Sequence, residues 1–374
     1  MIYHVLTEQA PFSDVSGGAI SRWVANMADS SDHAVVCLSF DSSWKFRKGR
    51  RITLRRLRFY RVLCRFHIVR AASIFSRNLS LWLFATLVRQ LNKGDVVWIH
   101  NRPEHAAALA PTLHKLGVAV VLHMHNPLPS GLNRTQIDAL KRIPLIFCSK
   151  FLKDKAGTQY SGALQRTFHL YNGADAKLFH PPVAAEVHKE KVPTVLFVGR
   201  LMPYKGAHIL LKAMRILGKG GVNAFCRIIG ASFFGDSKPN EYMRSLEKSC
   251  PTNTSLNGYR SGVDLAEEFR QADIFCCPSV WEEPFGMVIV EAMASGVPVI
   301  ASDAGGIPEA LQFGGGILVP PNDAEALAAA LLSLIANNKL RIELGKQGLA
   351  AIRDHFSWAR IQLRYRDILK EIAA

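Results

Sequence analysis

Short apolar runs rich in β-branched residues recur along the chain, each followed by a stretch of helical length. That alternation restricts the fold more than any other feature. Residues 3–6, 34–39, 96–100, 118–123 and 145–148 read as strands buried on both faces. Residues 19–28, 79–91 and 104–116 between them suit helices. Such a βαβ order gives a parallel sheet with right-handed crossovers. The texture changes across residues 173–192, where Gly, Ala, Pro and charged residues crowd together as in a linker. A second alternation follows, with strands at 194–198, 226–229, 274–277 and 297–301 and helices from 206, at 241–248, at 287–294 and from 324. The expectation is two doubly wound, Rossmann-like α/β domains, 1–178 and 179–355, followed by a helix at 356–374. Sheets of this kind bind ligands beyond the carboxyl ends of their strands, so a cleft between the domains is the expected site.

Composition agrees with two globular domains. Of 374 residues, 49% are hydrophobic and 20% charged, enough for two cores and poorly suited to a disordered chain. The apolar stretch at 79–88 lies between Arg77 and Arg89, far short of the roughly 20 residues that cross a bilayer. The first seven residues carry neither a basic start nor a long apolar run, which points to a cytoplasmic chain. The seven cysteines, an odd number with no C-x-x-C pair, fit small buried thiols.

Charge is unevenly distributed. Of the net +16, residues 1–180 carry 25 Lys and Arg against 10 Asp and Glu, a balance of +15, leaving +1 for the rest. Residues 42–94 hold 14 basic residues and no acidic one. Such a block favours a polyanion: nucleic acid, an anionic membrane surface, or an acidic or lipid-linked substrate. No zinc-finger, KH or RRM pattern accompanies it, so nucleic acid is not expected. A solvated basic loop is the plain alternative.

The residues with most chemical content lie in the second half. The run 195–206 passes from strand through turn into helix and delivers Arg200 and Lys205 to the carboxyl edge. Two cations beside a helix N-terminus suit a diphosphate, although isolated loop cations are usually just solvated. After a strand ending at Pro278, a loop carries Glu282 and Glu283, and a helix starting near Phe285 would aim the N–H groups of Phe285, Gly286 and Met287 at an anion. Glu283 suits sugar hydroxyls better than phosphate. Glu291 lies eight residues on, roughly 12 Å away if the stretch is helical throughout. An ordinary first-turn acid and a solvated helix face are the alternatives for this pair. Adjacent Glu282 and Glu283 do not make a glycosidase pair. No G-x-G-x-x-G follows the first strand of either domain, which counts against a dehydrogenase.

Several further pieces occur in order: Gly17-Gly18, His123-x-His125-Asn126, Asn172-Gly173-x-Asp175, Gly199-Arg200-Leu201, Lys205-Gly206, Pro278-Ser279, the Glu283 to Glu291 block, Gly296-x-Pro298-Val299 and Gly305-Gly306-x-x-Glu309. Together they resemble the retaining nucleotide-sugar glycosyltransferases of the GT-B fold, glycosyltransferase family 4. The resemblance covers nearly the whole chain. It implies two Rossmann-like domains facing across a cleft, with the C-terminal helix crossing back to the N-terminal one. It implies that Arg200 and Lys205 bind the donor diphosphate, with the backbone of Phe285, Gly286, Met287 and Val288 completing the cradle. Glu291 is implied to bind the ribose and Glu283 the transferred sugar, with His125 near that sugar. Gly17 and Gly18 would let a loop approach the ligand, and Asn172 belongs to the substrate-binding set.

The activity so implied is transfer of a hexose from a UDP- or GDP-sugar to a glycan or lipid-linked acceptor, in cell-surface polysaccharide or glycolipid synthesis. The departing phosphate takes the acceptor's proton. No metal or other cofactor is expected: there is no D-x-D triplet, and His123 with His125 alone is too small a ligand set. The basic half becomes the acceptor half, which suggests peripheral attachment to the inner face of an anionic membrane. A noncatalytic nucleotide-sugar sensor on the same fold is the alternative from another class.

Overall fold

The computed structural model describes residues 1–6, 18–28, 32–37, 50–53, 87–182, 192–232 and 239–373. Gly17 and most of the basic block at 42–94 lie outside the described residues. The chain divides into two compact units, Met1–Leu170 with Arg364–Ala374, and Tyr171–Leu363. These divisions fall at 170 and 363, where the sequence reading set them at 178 and 355.

The first unit is a seven-stranded sheet in the order β3-β2-β1-β4-β5-β6-β7, every pairing parallel. Its strands are β1 (Ile2–Val5), β2 (His33–Cys37), β3 (Arg50–Thr53), β4 (Val96–His100), β5 (Ala119–Met124), β6 (Leu145–Phe147) and β7 (Thr167–His169). Helices α1 (Ala19–Met27), α2 (Pro103–Lys115), α3 (Arg134–Leu140) and α4 (Lys150–Gln159) connect them. Val97, Trp98, Ile99, Val120, Val121 and Leu122 are fully buried, as central parallel strands require. Local signals start the helices. Pro103 occupies the first turn of α2, where a missing N–H costs nothing. Asn133 and Gln136 form a reciprocal capping box on α3.

The second unit is a six-stranded parallel sheet in the order β10-β9-β8-β11-β12-β13. Its strands are β8 (Thr194–Val198), β9 (Phe225–Ile229), β10 (Thr254–Leu256), β11 (Ile274–Cys277), β12 (Val299–Ser302) and β13 (Gly316–Val319). Its helices are α5 (Ala207–Lys219), α6 (Glu241–Lys248), α7 (Gly262–Arg270), α8 (Met287–Ala294), α9 (Ile307–Leu311), α10 (Ala324–Ala336) and α11 (Asn338–Ala351). A π-turn at Ile352–Phe356 leads to α12 (Trp358–Ala373). Strand order reverses beside β8, between β8 and β11, and in the first unit beside β1, between β1 and β4. The strand ends at such reversals are where open α/β sheets hold ligands. Two Rossmann-like units of this kind make the GT-B architecture expected from the sequence.

Candidate functional site

In the second unit, β8 and β11 end side by side at the reversal, and the residues that follow them meet. Lys205 closes a short turn, Pro203–Lys205, after β8. Its ammonium donates to Oε1 of Glu283, and Ser279 Oγ donates to the same oxygen at 2.8 Å. The Lys205 side chain is 18% exposed and that of Glu283 only 7%. A carboxylate this buried needs such partners. Lys205 Nζ also lies 5.4 Å from the centre of the Trp281 ring and 5.8 Å from that of Tyr204, and Arg200 Cζ lies 5.5 Å from that of Tyr204. Two cations therefore share one aromatic wall, completed by the edge of Trp281 against Tyr204 at 5.3 Å.

Close backbone approach makes the corner possible. Gly206 has φ +77°, and a Cβ there would lie 1.8 Å from the Pro278 carbonyl oxygen. Only glycine fits. Val280 N donates to Tyr204 O at 2.9 Å, tying the two strand ends together. The Glu283 loop is fixed from its other side: Gly306 N donates to Glu283 O at 2.7 Å, and a Cβ on Gly305 would come within 2.4 Å of that oxygen.

Helix α8 begins at Met287 after Gly286, which has φ +92°. The stretch from Glu283 is thus not helical throughout, and the 12 Å straight-helix separation from Glu291 does not describe it. Glu291 is 1% exposed, so the solvated-face alternative is excluded. Phe285 is fully buried and stacks on Tyr171 at 5.5 Å; its ring is core, leaving its backbone for any ligand. Burial pushes the Tyr171 hydroxyl up to about 12. The first N–H groups of α8, from Gly286 to Val288, face the helix start without intrahelical acceptors, as at any helix N-terminus. Asn172 is 2% exposed, and its Oδ1 accepts no hydrogen bond among the described residues.

In the first unit, Gly18 precedes α1 with φ −68°, a conformation open to any residue. His125 is 6% exposed and follows β5 in a turn that Asn101 builds. Asn101, at φ +53°, donates its N–H to His123 O at 2.9 Å. Its Oδ1 accepts from His125 N at 2.7 Å and Asn126 N at 3.2 Å. Parallel register sets His100 opposite His123 and His4 opposite Trp98, so the strand ends present imidazoles on one face. His100, His123 and His125 place a ligand atom each within 4.8 Å of one another. The sequence reading missed Asn101, His4 and His100, and, in the second unit, Tyr204 and Trp281. The period-two pair His123-x-His125 signals a shared strand face, and a polar residue ending β4 signals a partner for it.

Residues 183–350 match the model of the family described as Glycosyl transferases group 1. That stretch, a little under half of the chain, is similar to a group 1 glycosyltransferase domain. The matched residues include Arg200, Lys205, Ser279, Glu283 and Glu291. Beyond it, the chain is 28% identical over 296 residues to spore coat protein SA of Bacillus subtilis (strain 168), covering 72% of this chain and 76% of that one. It is 34% identical over 199 residues to D-inositol 3-phosphate glycosyltransferase of Corynebacterium glutamicum (strain R), covering 50% of this chain and 47% of the relative. The chain thus spans about half of that relative's length. Anabaena HepE, solved in complex with UDP-glucose, superposes with a TM-score of 0.72 at 20% identity, over 99% of this chain and all of that one. That likeness shows the GT-B fold.

Proposed function

We propose that the protein is a retaining glycosyltransferase that moves a hexose from a UDP- or GDP-sugar to a glycan or lipid-linked acceptor. The observation that carries this reading is the Lys205–Glu283–Ser279 cluster at the strand-order reversal of the group 1 domain. A diphosphate leaving group develops negative charge as its bond to the sugar breaks. Lys205 and Arg200, with the N-terminal N–H groups of α8, are the groups suited to stabilise that charge. An ammonium has three donors, so Lys205 holds Glu283 with one and keeps two for phosphate oxygens.

The same pairing bears on mechanism. Glu283 accepts hydrogen bonds from two partners, which suits binding of sugar hydroxyls and is a poor arrangement for a nucleophile or a general base. That supports substitution on one face of the sugar, with the departing phosphate taking the acceptor's proton and the anomeric configuration retained. Buried Glu291 is assigned to the ribose hydroxyls. The titration that tests this is calorimetry with UDP, GDP and ADP, then the nucleotide-sugars, followed by NMR of the product anomer. Selective binding of one nucleotide that depends on Lys205, with a retained anomer, is the expected result. Binding with no transfer to any acceptor tried would favour a nucleotide-sugar sensor, as would the lack of turnover by hydrolysis.

The acceptor is assigned to the N-terminal unit. The excess of basic residues at 42–94 supports a lipid-linked acceptor at an anionic leaflet. No described helix is long and apolar enough to cross a membrane. Sedimentation with liposomes, with and without anionic lipid, tests the attachment; no binding at low salt removes it.

A further inference from the structure

The imidazoles of the first unit form a continuous series. His33 Nδ1 lies 3.0 Å from His4 Nε2, His4 Nδ1 lies 3.3 Å from His100 Nε2, and His100 Nδ1 lies 3.3 Å from His125 Nε2. His123 packs against this series, its ring centre 4.1 Å from that of His125 and 5.3 Å from that of His100. It is fully buried, yet neither of its ring nitrogens takes part in a hydrogen bond among the described residues. A buried imidazole left in that state is costly, and hydrogen bonding within the cluster does not relieve it.

We propose that His100, His123 and His125 bind a divalent transition-metal ion, zinc foremost, through one imidazole nitrogen each. Metal–nitrogen bonds of about 2.0–2.1 Å at tetrahedral angles set ligand nitrogens about 3.3–3.4 Å apart. The 3.3 Å between His100 Nδ1 and His125 Nε2 matches that edge and is long for a hydrogen bond. An ion at this place gives a nitrogen of His123 the partner it otherwise lacks. All three donors are nitrogen, which suits zinc, copper or nickel and not magnesium or calcium. A fourth position is left to water.

For His100 the surroundings supply what a histidine ligand requires. A metal-bound imidazole donates its other N–H to a neighbour, which fixes its orientation. With Nδ1 of His100 on the metal, its Nε2–H donates to His4 Nδ1, and His4 Nε2–H in turn donates to His33 Nδ1. His33 Nε2 then faces the Asp32 carboxylate at 4.0 Å. One set of tautomers satisfies both hydrogen bonds from His100 through His4 to His33. Asn101 holds the turn that carries His125, and the ion would fix the same turn from the side-chain end.

The test uses full-length untagged protein. Metal-stripped protein is titrated with zinc by calorimetry against a competing chelator, and with cobalt(II) by visible absorption and tryptophan fluorescence. One site per chain is expected, with the intense visible absorption of tetrahedral cobalt and quenching from Trp23, whose ring centre is 4.7 Å from that of His123. His123→Gln should weaken zinc by about 100-fold or more, and His4→Gln, which alters a supporting residue, by about 10–100-fold. Nucleotide binding by the group 1 domain and circular dichroism monitor folding of the variants. The cobalt spectrum of the wild-type protein stands even if a variant fails to fold. Absence of a stoichiometric tetrahedral cobalt site in the wild type overturns the proposal, as does equal zinc affinity in a folded His123→Gln variant. Neither outcome touches the assignments of Lys205 and Glu283, which lie in the other unit.

Discussion

The two units wind the same kind of parallel sheet and finish its strands with opposite chemistry. In the first, the ends of β1, β4 and β5 carry imidazoles beside the indoles of Trp23 and Trp98 and the ring of Tyr365, which lies 5.1 Å from Trp98. His123 there has no exposed surface. In the second, the ends of β8 and β11 lead to a cation, a carboxylate and a hydroxyl, and Lys205 keeps 18% of its side chain exposed. Topology thus provides a platform at the strand ends, and the few residues after each strand decide whether it is neutral and sealed or charged and open. The charged platform is suited to a ligand that arrives and leaves. The sealed one is suited to a group that stays.

The sharpest way to separate the platforms is at Gly206. Gly206→Ala forces a Cβ into the Pro278 carbonyl at a positive φ, a cost of about 3–5 kcal/mol. Calorimetric scans should show the second unit melting earlier while the first is unchanged. Next in size, Lys205→Ala should lower transfer about 100- to 1000-fold, measured as kcat at saturating donor, and should weaken donor binding with the fold intact. A loss confined to KM would break the assignment of Lys205 to the leaving group.

Acid provides the third comparison. The folded-state pKa values of His4, His100 and His123 are depressed by burial, so in metal-free protein the unfolded state takes up protons that the folded state refuses. Stability is therefore full above about pH 6.5 and falls below it. The loss is about 1.4 kcal/mol per pH unit for each imidazole, continuing until its folded pKa is reached. Melts between pH 7.5 and 5 should show this slope for the first unit and little of it for the second. Smallest is Asn101→Gly, which keeps the positive φ and removes the amide that holds His125 N and Asn126 N. About 1–2 kcal/mol of stability should go, read by chemical denaturation.

The alternation of strand and helix was legible because each central strand is a four- to six-residue apolar run, and α6 and α8 match their sequence-derived bounds. Strands β7 and β10 were not, since Thr167–His169 and Thr254–Leu256 are too short to show a period. Helix α3 carries a readable capping pattern, Asn133 with Gln136, that the apolar periodicity did not point to. Resemblance, and no local pattern, is what assigns Arg200, Lys205, Glu283 and Glu291 to a donor site. The ion pair between Lys205 and Glu283 was not legible, because 78 residues separate them and only the neighbouring of β8 and β11 brings them together. The histidines teach the same lesson. His123 and His125 are visible as a pair, but His4, His33 and His100 join them through strand register, which no single stretch of sequence reveals.

The backbone seal on the Glu283 loop has a practical meaning for anyone wishing to re-engineer that loop. Gly305 and Gly306 press against main-chain atoms of residues 282–284, so an insertion in either loop must displace the other. Changes of length are therefore a poor route to a new loop surface. Side-chain exchanges at positions such as Trp281, which leave the two main chains in contact, give a library that keeps its fold.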